Sequence, residues 1–333
     1  MQIGLKLFAE GFSPLELVEH AVLAERAGFD FVEISDHFHP WLDRPEDGRL
    51  QGHAGFAWSI LGAVAARTGR IRLGTGVTCP THRYHPAIIA QAAATMGILS
   101  EDRFFLGIGS GERLNEHIIG GGWQSAATRH AMLREALLII RLLWSGGFHS
   151  YRGKHLQLED ARLYDLPRQL PDIVVAASGK NATRIAATQG DGLFLTSPNA
   201  QLIRTFREAG ATGPVLAEAL IGFESSQELG LQAALKAFRW AELGVATDAE
   251  IPRASLFREA SRFVRVEDIA SDVAAGPDAD AYLTLARRYA DAGVDGIAFI
   301  NVGSDMRAFL EFASERLVDP VRRLEPAAGL AHQ

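Results

Sequence analysis

Residues 34–41, Ile-Ser-Asp-His-Phe-His-Pro-Trp, set an acid, two imidazoles and an indole directly after the run Asp30-Phe31-Val32-Glu33-Ile34. Ordinary turns favour Gly, Asn, Asp, Ser and Pro for reasons of backbone geometry. A strand that runs into Asp36-His37 instead presents groups that titrate. Histidine exchanges protons near neutral pH, and a nearby acid can fix its tautomer and raise its pKa. Alone, His37 could simply cap a loop; with Asp36, His39 and Trp41 beside it, the chemical reading is preferred. His39, before Pro40, also suits a turn.

Three further loops carry chemistry of their own. Gly74-Thr75-Gly76-Val77-Thr78-Cys79-Pro80 offers glycines that let backbone approach a flat ligand, or else a plain bulge and proline turn. Cys79 has no activating neighbour and reads as a packing residue. Gly107-Ile108-Gly109-Ser110-Gly111-Glu112-Arg113-Leu114-Asn115-Glu116 presents Ser110, Glu112 and Asn115 together. There Glu112 is a candidate acid or base and Asn115 a hydrogen-bonding side chain, although Glu112 could equally be an acid favoured by a helix N-terminus. Ala176-Ala177-Ser178-Gly179-Lys180-Asn181-Ala182 leads into a helix, and free backbone N–H groups at such a start form an anion site. Its spacing is not a P-loop. Trp144 and Trp240 read as packing aromatics at helix ends.

The elements that must hold these loops alternate. Apolar runs at 3–8, 31–35, 71–77, 103–108, 173–177, 192–196, 215–223 and 296–302 read as strands buried on both faces. Amphipathic stretches lie between them. Ser13-Pro14-Leu15-Glu16 is a helix start, with Leu17, Ala21, Ala24 and Gly28 on one face. Ala-Gly-Phe-Asp at 27–30 returns as Ala-Gly-Val-Asp at 292–295, each a glycine-capped helix end leading to a strand. Eight such repeats predict an α/β fold, a (β/α)8 TIM barrel with its chemistry at the C-terminal strand ends. The first strand-to-helix turn lacks Gly-x-Gly-x-x-Gly, which argues against a dinucleotide-binding Rossmann sheet. Segments 145–171 and 244–276 break the repeat and predict insertions, one after the fourth helix and one around strand 7 and helix 8. A single domain over 1–325 with a tail at 326–333 is expected.

Composition narrows the class. Hydrophobic residues make up 47% and charged residues 22% of 333, enough for a large core. A net charge of −7 and the lack of a basic stripe give nucleic acid no support. No apolar run approaches a membrane span, and the N-terminus lacks a signal-peptide layout, so a cytoplasmic protein is expected. One cysteine excludes an intrachain disulfide and a cysteine-based zinc site, and no metal is expected.

In order, Ser-Asp-His-Phe-His-Pro-Trp at 35–41, Gly-Thr-Gly-Val-Thr-Cys-Pro at 74–80, Arg-Tyr-His-Pro-Ala-Ile-Ile-Ala-Gln at 83–91 and Gly-Ile-Gly-Ser-Gly-Glu-Arg-Leu-Asn-Glu at 107–116 resemble the luciferase-like barrel superfamily. The resemblance is to its deazaflavin-dependent branch of glucose-6-phosphate and secondary alcohol dehydrogenases. It implies coenzyme F420, with FMN as the alternative, a homodimer, and hydride transfer between a substrate carbinol and C5 of the deazaflavin. It implies His37 and Glu112 as the acid–base pair and Trp41 as a wall of the substrate pocket beside the ring. Asp36, Cys79, Ser110, Gly111 and Asn115 match cofactor-contact positions. Gly76-Val77 matches the family's non-proline cis peptide, and Ser178, Gly179, Asn181 and Ala182 match its cofactor phosphate loop. On the substrate side, Thr196 and Asn199 are the matching positions. The sugar-phosphate enzymes hold phosphate with three cations, where this chain has Asn199, only Arg253 in the stretch 244–256, and Ser271-Asp272. An acid in place of a cation disfavours a phosphate dianion, so a neutral alcohol or carbonyl is expected. Sugar-6-phosphate oxidation, an FMN-dependent reductase or monooxygenase, and a noncatalytic flavin-binding relative remain the rivals.

Overall fold

The computed structural model describes residues 1–43 and 51–327. Of the tail expected at 326–333, residues 328–333 lie outside the described residues.

Eight strands form one parallel sheet: β1 Gln2–Leu7, β2 Phe31–Ile34, β3 Arg72–Thr75, β4 Phe104–Ile108, β5 Asp172–Ala176, β6 Gly192–Leu195, β7 Val215–Gly222 and β8 Gly296–Asn301. Each pairs with its predecessor around the sheet, and β8 returns to β1, with Gln2 opposite Gly296. The barrel is thereby closed and has no free edge. All eight expected strands are found, with ends that differ by a few residues at most.

Alternation along each strand sorts the side chains into layers. Leu5, Val32, Leu73, Leu106, Val175, Leu193, Ala217 and Phe299 point outward into the main core beneath the helices. Inward, Phe31, Phe105, Val174, Phe194, Leu216 and Ala298 make an apolar plug. Phe31 meets the edge of Phe105 at 6.1 Å. Gly4 lies opposite Phe31, and a Cβ there would sit 2.4 Å from the Phe31 ring. One layer nearer the C-terminal mouth the inward residues are Lys6, Glu33 and Glu218, and the interior turns from hydrocarbon to charge.

The helices follow in turn: α1 Pro14–Ala27, α2 Ala57–Arg67, α3 Pro86–Leu99, α4 Ala126–Trp144, α5 Lys180–Gln189, α6 Ala200–Glu208, α7 Ala279–Ala292 and α8 Met306–Arg316. At α1 the expected start is a full capping box between Ser13 and Glu16. Gly28 and Gly293 close α1 and α7 at φ 92° and 93°, the left-handed region that disfavours a side chain. The aspartate two residues on ties each helix end to a strand start, for Asp30 accepts the N–H of Ile3 and Asp295 that of Val215.

The excursion at 145–171 contains an antiparallel hairpin, His149–Arg152 with Gln157–Ala161. The excursion after β7 begins with helix Gln227–Phe238 and continues through short helices Val245–Asp248, Ala254–Ala260 and Val266–Ile269. The sequence predicts no strand there, yet Ala274–Ala275 pairs in parallel with Ile221 and Gly222. Trp240, Phe238, Phe257 and Ile269 from this excursion pack with Phe8, Trp41, Leu114 and Val302 from the strand ends. An apolar cluster therefore joins it to the C-terminal mouth of the barrel.

Candidate active site

The strand ends bring His37 and Glu112 together, as their placement on β2 and β4 implied: His37 Nε2 lies 3.5 Å from Glu112 Oε2. The acid that holds the other face of the imidazole is neither Asp36 nor any other residue singled out in the sequence. It is Glu10, just beyond β1, whose Oε1 approaches His37 Nδ1 to 2.5 Å. The approach lacks the geometry of a linear hydrogen bond, and the contact is a close ion pair when the imidazole is protonated. Glu10 is only 1% exposed, and its second oxygen accepts the Ser35 hydroxyl at 2.9 Å.

Burial works against a charged His37, but the carboxylates of Glu10 and Glu112 outweigh it and raise its pKa above the usual histidine value. Burial would also raise Glu10; the imidazolium and Lys6 reverse this and bring it below the usual carboxylate range. Glu112 keeps 36% of its surface open at the mouth, yet desolvation of its carboxyl still raises its pKa against the pull of His37. The result is a buried base–acid relay with an open outer member, the arrangement general acid–base chemistry needs.

Trp41 lies against this relay. Its indole stacks on Trp240 at 3.9 Å and 13°, and meets the His37 ring edge-on at 5.0 Å. Trp240 thus packs, as expected, and also fixes the wall beside the reacting groups. His39 has a structural part: Nδ1 lies 2.9 Å from the Leu114 carbonyl, and the ring stacks on His117. A cavity of about 360 Å³ opens beside it, lined by His39, His117, Asp43 and Arg253.

Several expected ligand contacts are committed to the protein itself. Asp36 accepts the Thr78 hydroxyl, the Tyr84 hydroxyl at 3.2 Å and an ion pair from Arg83 at 3.2 Å. The Asn115 carbonyl accepts the backbone N–H groups of Phe38 and His39 at 2.9 and 3.1 Å, and its amide reaches Glu112 at 3.5 Å. These bonds tie the β2 loop to those of β3 and β4, and so hold His37 in place. Cys79 is buried beside Gly111, and burial with the Glu116 charge pushes its thiol far above the usual range, which suits packing. Cys79, His82 and Glu116 cluster closely enough to suggest metal ligands. Both His82 nitrogens are engaged, by Thr81 and Gln124, and Arg83 stands 3.5 Å from Glu116, so the cluster is a hydrogen-bonded one.

Gly76–Val77 is a cis peptide, as the motif implied. The Gly76 carbonyl accepts the Lys6 ammonium from below, and a Cβ on Gly76 would meet Glu33 at 2.8 Å. Ser110 follows β4 at half burial. After the neighbouring strand β5, Ser178 and Asn181 are exposed at the start of α5, Ala182 is buried, and Gly179 caps the helix without a side-chain bond. A Cβ at Gly179 would meet nothing within 4 Å, and no side chain caps the first N–H groups of α5.

Thr196 and Asn199 lie beyond β6, both exposed, and the Asn199 carbonyl accepts Leu202 N at 3.1 Å as the N-cap of α6. Its amide alone is left for a ligand. Asp272 pairs with Arg288 at 2.7 Å on the surface.

The model of the luciferase-like monooxygenase family matches residues 1–296. A protein named F420-dependent glucose-6-phosphate dehydrogenase from Tsukamurella paurometabola is 35% identical, over 97% of this chain and 99% of its own. One of the same name from Mycolicibacterium gilvum is 36% identical, again over 97% and 99%. Among solved structures, an F420-dependent secondary alcohol dehydrogenase in complex with an F420-acetone adduct superposes with TM-score 0.88 at 26% identity, covering 96% of this chain and 99% of that one. The coenzyme F420-dependent tetrahydromethanopterin reductase of Methanopyrus kandleri shares the fold, with TM-score 0.74 at 18% identity and coverage of 96% and 98%. Sequence and barrel agree, and the chain belongs to the luciferase-like monooxygenase family.

Proposed function

We propose that this chain, as one luciferase-like domain over 1–325, is a coenzyme F420-dependent oxidoreductase that interconverts a secondary alcohol or sugar-type carbinol and its carbonyl. The observation that carries this reading is the Glu10–His37–Glu112 relay at the barrel mouth, in a chain whose full-length relatives are named for F420-dependent dehydrogenation. The residues suit a flat ring with a phosphorylated tail. The Gly76–Val77 backbone, half-buried Val77 and Ala176, and the apolar plug below them offer a face for a ring. The uncapped start of α5 at Ser178, Gly179, Asn181 and Ala182 offers N–H groups for a phosphate. Ser110 and Gly111 are the further contacts assigned to the cofactor.

Bound deazaflavin would supply a hydride acceptor at C5. The protein's part is proton handling and placement. His37, neutral at the start, takes the substrate hydroxyl proton at Nε2, and Glu10 stabilises the imidazolium. Glu112, whose carboxyl pKa is raised by burial, is placed to exchange a proton on the cofactor side. Trp41, braced by Trp240, holds the carbinol against His37.

Glucose 6-phosphate is the second reading, favoured by the names of the relatives at 35% and 36% identity. Against it stand Asn199 spent as a helix cap and Asp272 paired at the surface. We further assign the protein to the cytoplasm as a homodimer, on family likeness. Among the described residues no helix is long and apolar enough to cross a membrane.

The test mixes purified protein with F420 or FMN and measures binding, then follows the oxidised absorbance band with secondary alcohols, glucose and glucose 6-phosphate. Tight F420 binding and bleaching by a carbinol are expected. Binding of FMN alone, or no bleaching with any carbinol, overturns the proposal. Light scattering of the same sample reports the dimer.

A further inference from the structure

The relay leaves one carboxyl near it unexplained. Asp248 ends the short helix Val245–Asp248 in the excursion that covers the mouth. It is only 6% exposed, and its Oδ1 is buried with no hydrogen-bond partner. A buried carboxyl oxygen left unpaired costs desolvation without return, which is rare in a settled core and common where a ligand completes the bonding. Its position is fixed relative to Glu112 by the backbone, because Arg113 N donates to Ala249 O at 3.1 Å. The residues on either side of that bond, Glu112 and Asp248, thus lie close enough for each charge to act on the other. Burial, reinforced by the Glu112 charge, lifts the Asp248 carboxyl to about 8. The adjacent Glu250 is held aside by Arg129 at 3.2 Å, and Asp248 has no such ion pair among the described residues.

We propose that Asp248 is a substrate-specificity residue, a carboxyl that hydrogen-bonds a hydroxyl or carbonyl oxygen of a neutral, polyhydroxylated or carbonyl-bearing substrate. This rests on the oxidoreductase reading above. A protonated carboxyl both donates and accepts, so it can serve the alcohol and the carbonyl alike. A substrate phosphate placed here would meet Asp248 and Glu112 together, with no cation among the described residues paired to either carboxyl beyond His37.

Steady-state kinetics with F420, using a neutral carbinol substrate and glucose 6-phosphate, tests this in the wild type, Asp248→Asn and Asp248→Leu. F420 affinity and thermal unfolding are measured alongside to confirm intact folding. Asp248→Leu is expected to raise KM for the neutral substrate at least about tenfold, the loss of one charge-assisted or buried hydrogen bond, with a smaller change in kcat. Asp248→Asn, which keeps a donor and an acceptor, is expected to hold that KM within about threefold. Wild-type turnover with both variants unchanged in KM and in selectivity overturns the role of Asp248 and leaves the dehydrogenase reading standing. Wild-type protein that binds F420 but oxidises no carbinol overturns both. If Asp248→Leu fails to fold, Asp248→Ala takes its place, and an unchanged KM for the neutral substrate in that variant overturns the inference.

Discussion

His37 is positioned by what touches its two nitrogens. Glu10 at 2.5 Å fixes Nδ1, and that leaves Nε2 turned toward Glu112. Glu10→Gln keeps the shape of the contact and removes its charge. General base catalysis contributes about 10²–10⁴-fold, so kcat for carbinol oxidation is expected to fall by about 10²-fold with little change in KM. The pH profile carries a sharper signature. The base must be neutral, so activity rises as pH climbs through the His37 pKa, which the carboxylates hold above 6.5. In Glu10→Gln that limb should move to lower pH; a limb that stays put would show that His37 is not the titrating base. Stability follows the same pair. The raised His37 pKa stabilises fully below 6.5, and the gain fades as pH rises through the folded value. The lowered Glu10 pKa stabilises above 4.5, and the gain fades as pH falls through the folded value. The drop in Tm caused by Glu10→Gln should therefore be largest between pH 4.5 and 6.5 and shrink on the alkaline side.

At the scale of elements, the start of α5 separates cofactor binding from folding. Gly179 has an extended φ of −161° and open space around its missing Cβ, so a side chain there meets no obstacle. Asp at an N-cap is as good for a helix as Gly or better, and its charge suits the dipole. Gly179→Asp should keep or slightly raise Tm, yet weaken F420 binding at least about tenfold in a fluorescence titration, because the acid competes for the N–H groups a phosphate needs. An unchanged affinity would place the phosphate elsewhere. Element patterns of this kind are readable in the sequence: all the barrel strands, the Ser13 cap, the glycine closes at 28 and 293, and both excursions. What escapes it depends on closure of the barrel or on side-chain commitments. Glu10 sits in Phe-Ala-Glu-Gly, between the first strand and the Ser13 helix start and outside every motif, and meets His37 only once β1 and β2 lie side by side. Asn199 resembles a ligand position but spends its carbonyl on α6, as Asn115 does on the β2 loop. Asp248 lies in a stretch with no periodicity, where only the fold brings it near Glu112.

Across the whole molecule, the barrel is apolar below and charged above, and the charged layer is its weak point. Lys6 stands between two carboxyls, bonding Glu218 and the Gly76 carbonyl and lying 3.8 Å from Glu33. One ammonium cannot balance two buried carboxylates. Glu33 is 0% exposed, and neither of its oxygens makes a hydrogen bond of good geometry. Burial raises its carboxyl well above the usual range; Lys6 pulls it back, and Glu218 adds to the rise. The layer therefore holds one ion pair, Lys6 with Glu218, beside an acid whose ionisation is opposed by burial and by Glu218. Removing the ammonium by Lys6→Met leaves buried carboxyls uncompensated and should cost about 3–5 kcal/mol, read as a large loss of denaturation midpoint. Glu33→Gln should behave in the opposite way, because an amide reproduces the donor and acceptor of a protonated acid. In the wild type, the folded state keeps a proton on Glu33 that the unfolded chain releases above 4.5, so stability falls as pH rises from there toward the folded pKa. Gln has no proton to lose. The Tm of Glu33→Gln should match the wild type near pH 4.5 and exceed it increasingly as pH rises toward neutrality. A variant less stable than the wild type at neutral pH would mean that Glu33 is ionised in the fold and that Lys6 serves both acids, which would also unsettle the support that Lys6 gives the Gly76 carbonyl beneath the proposed ring site.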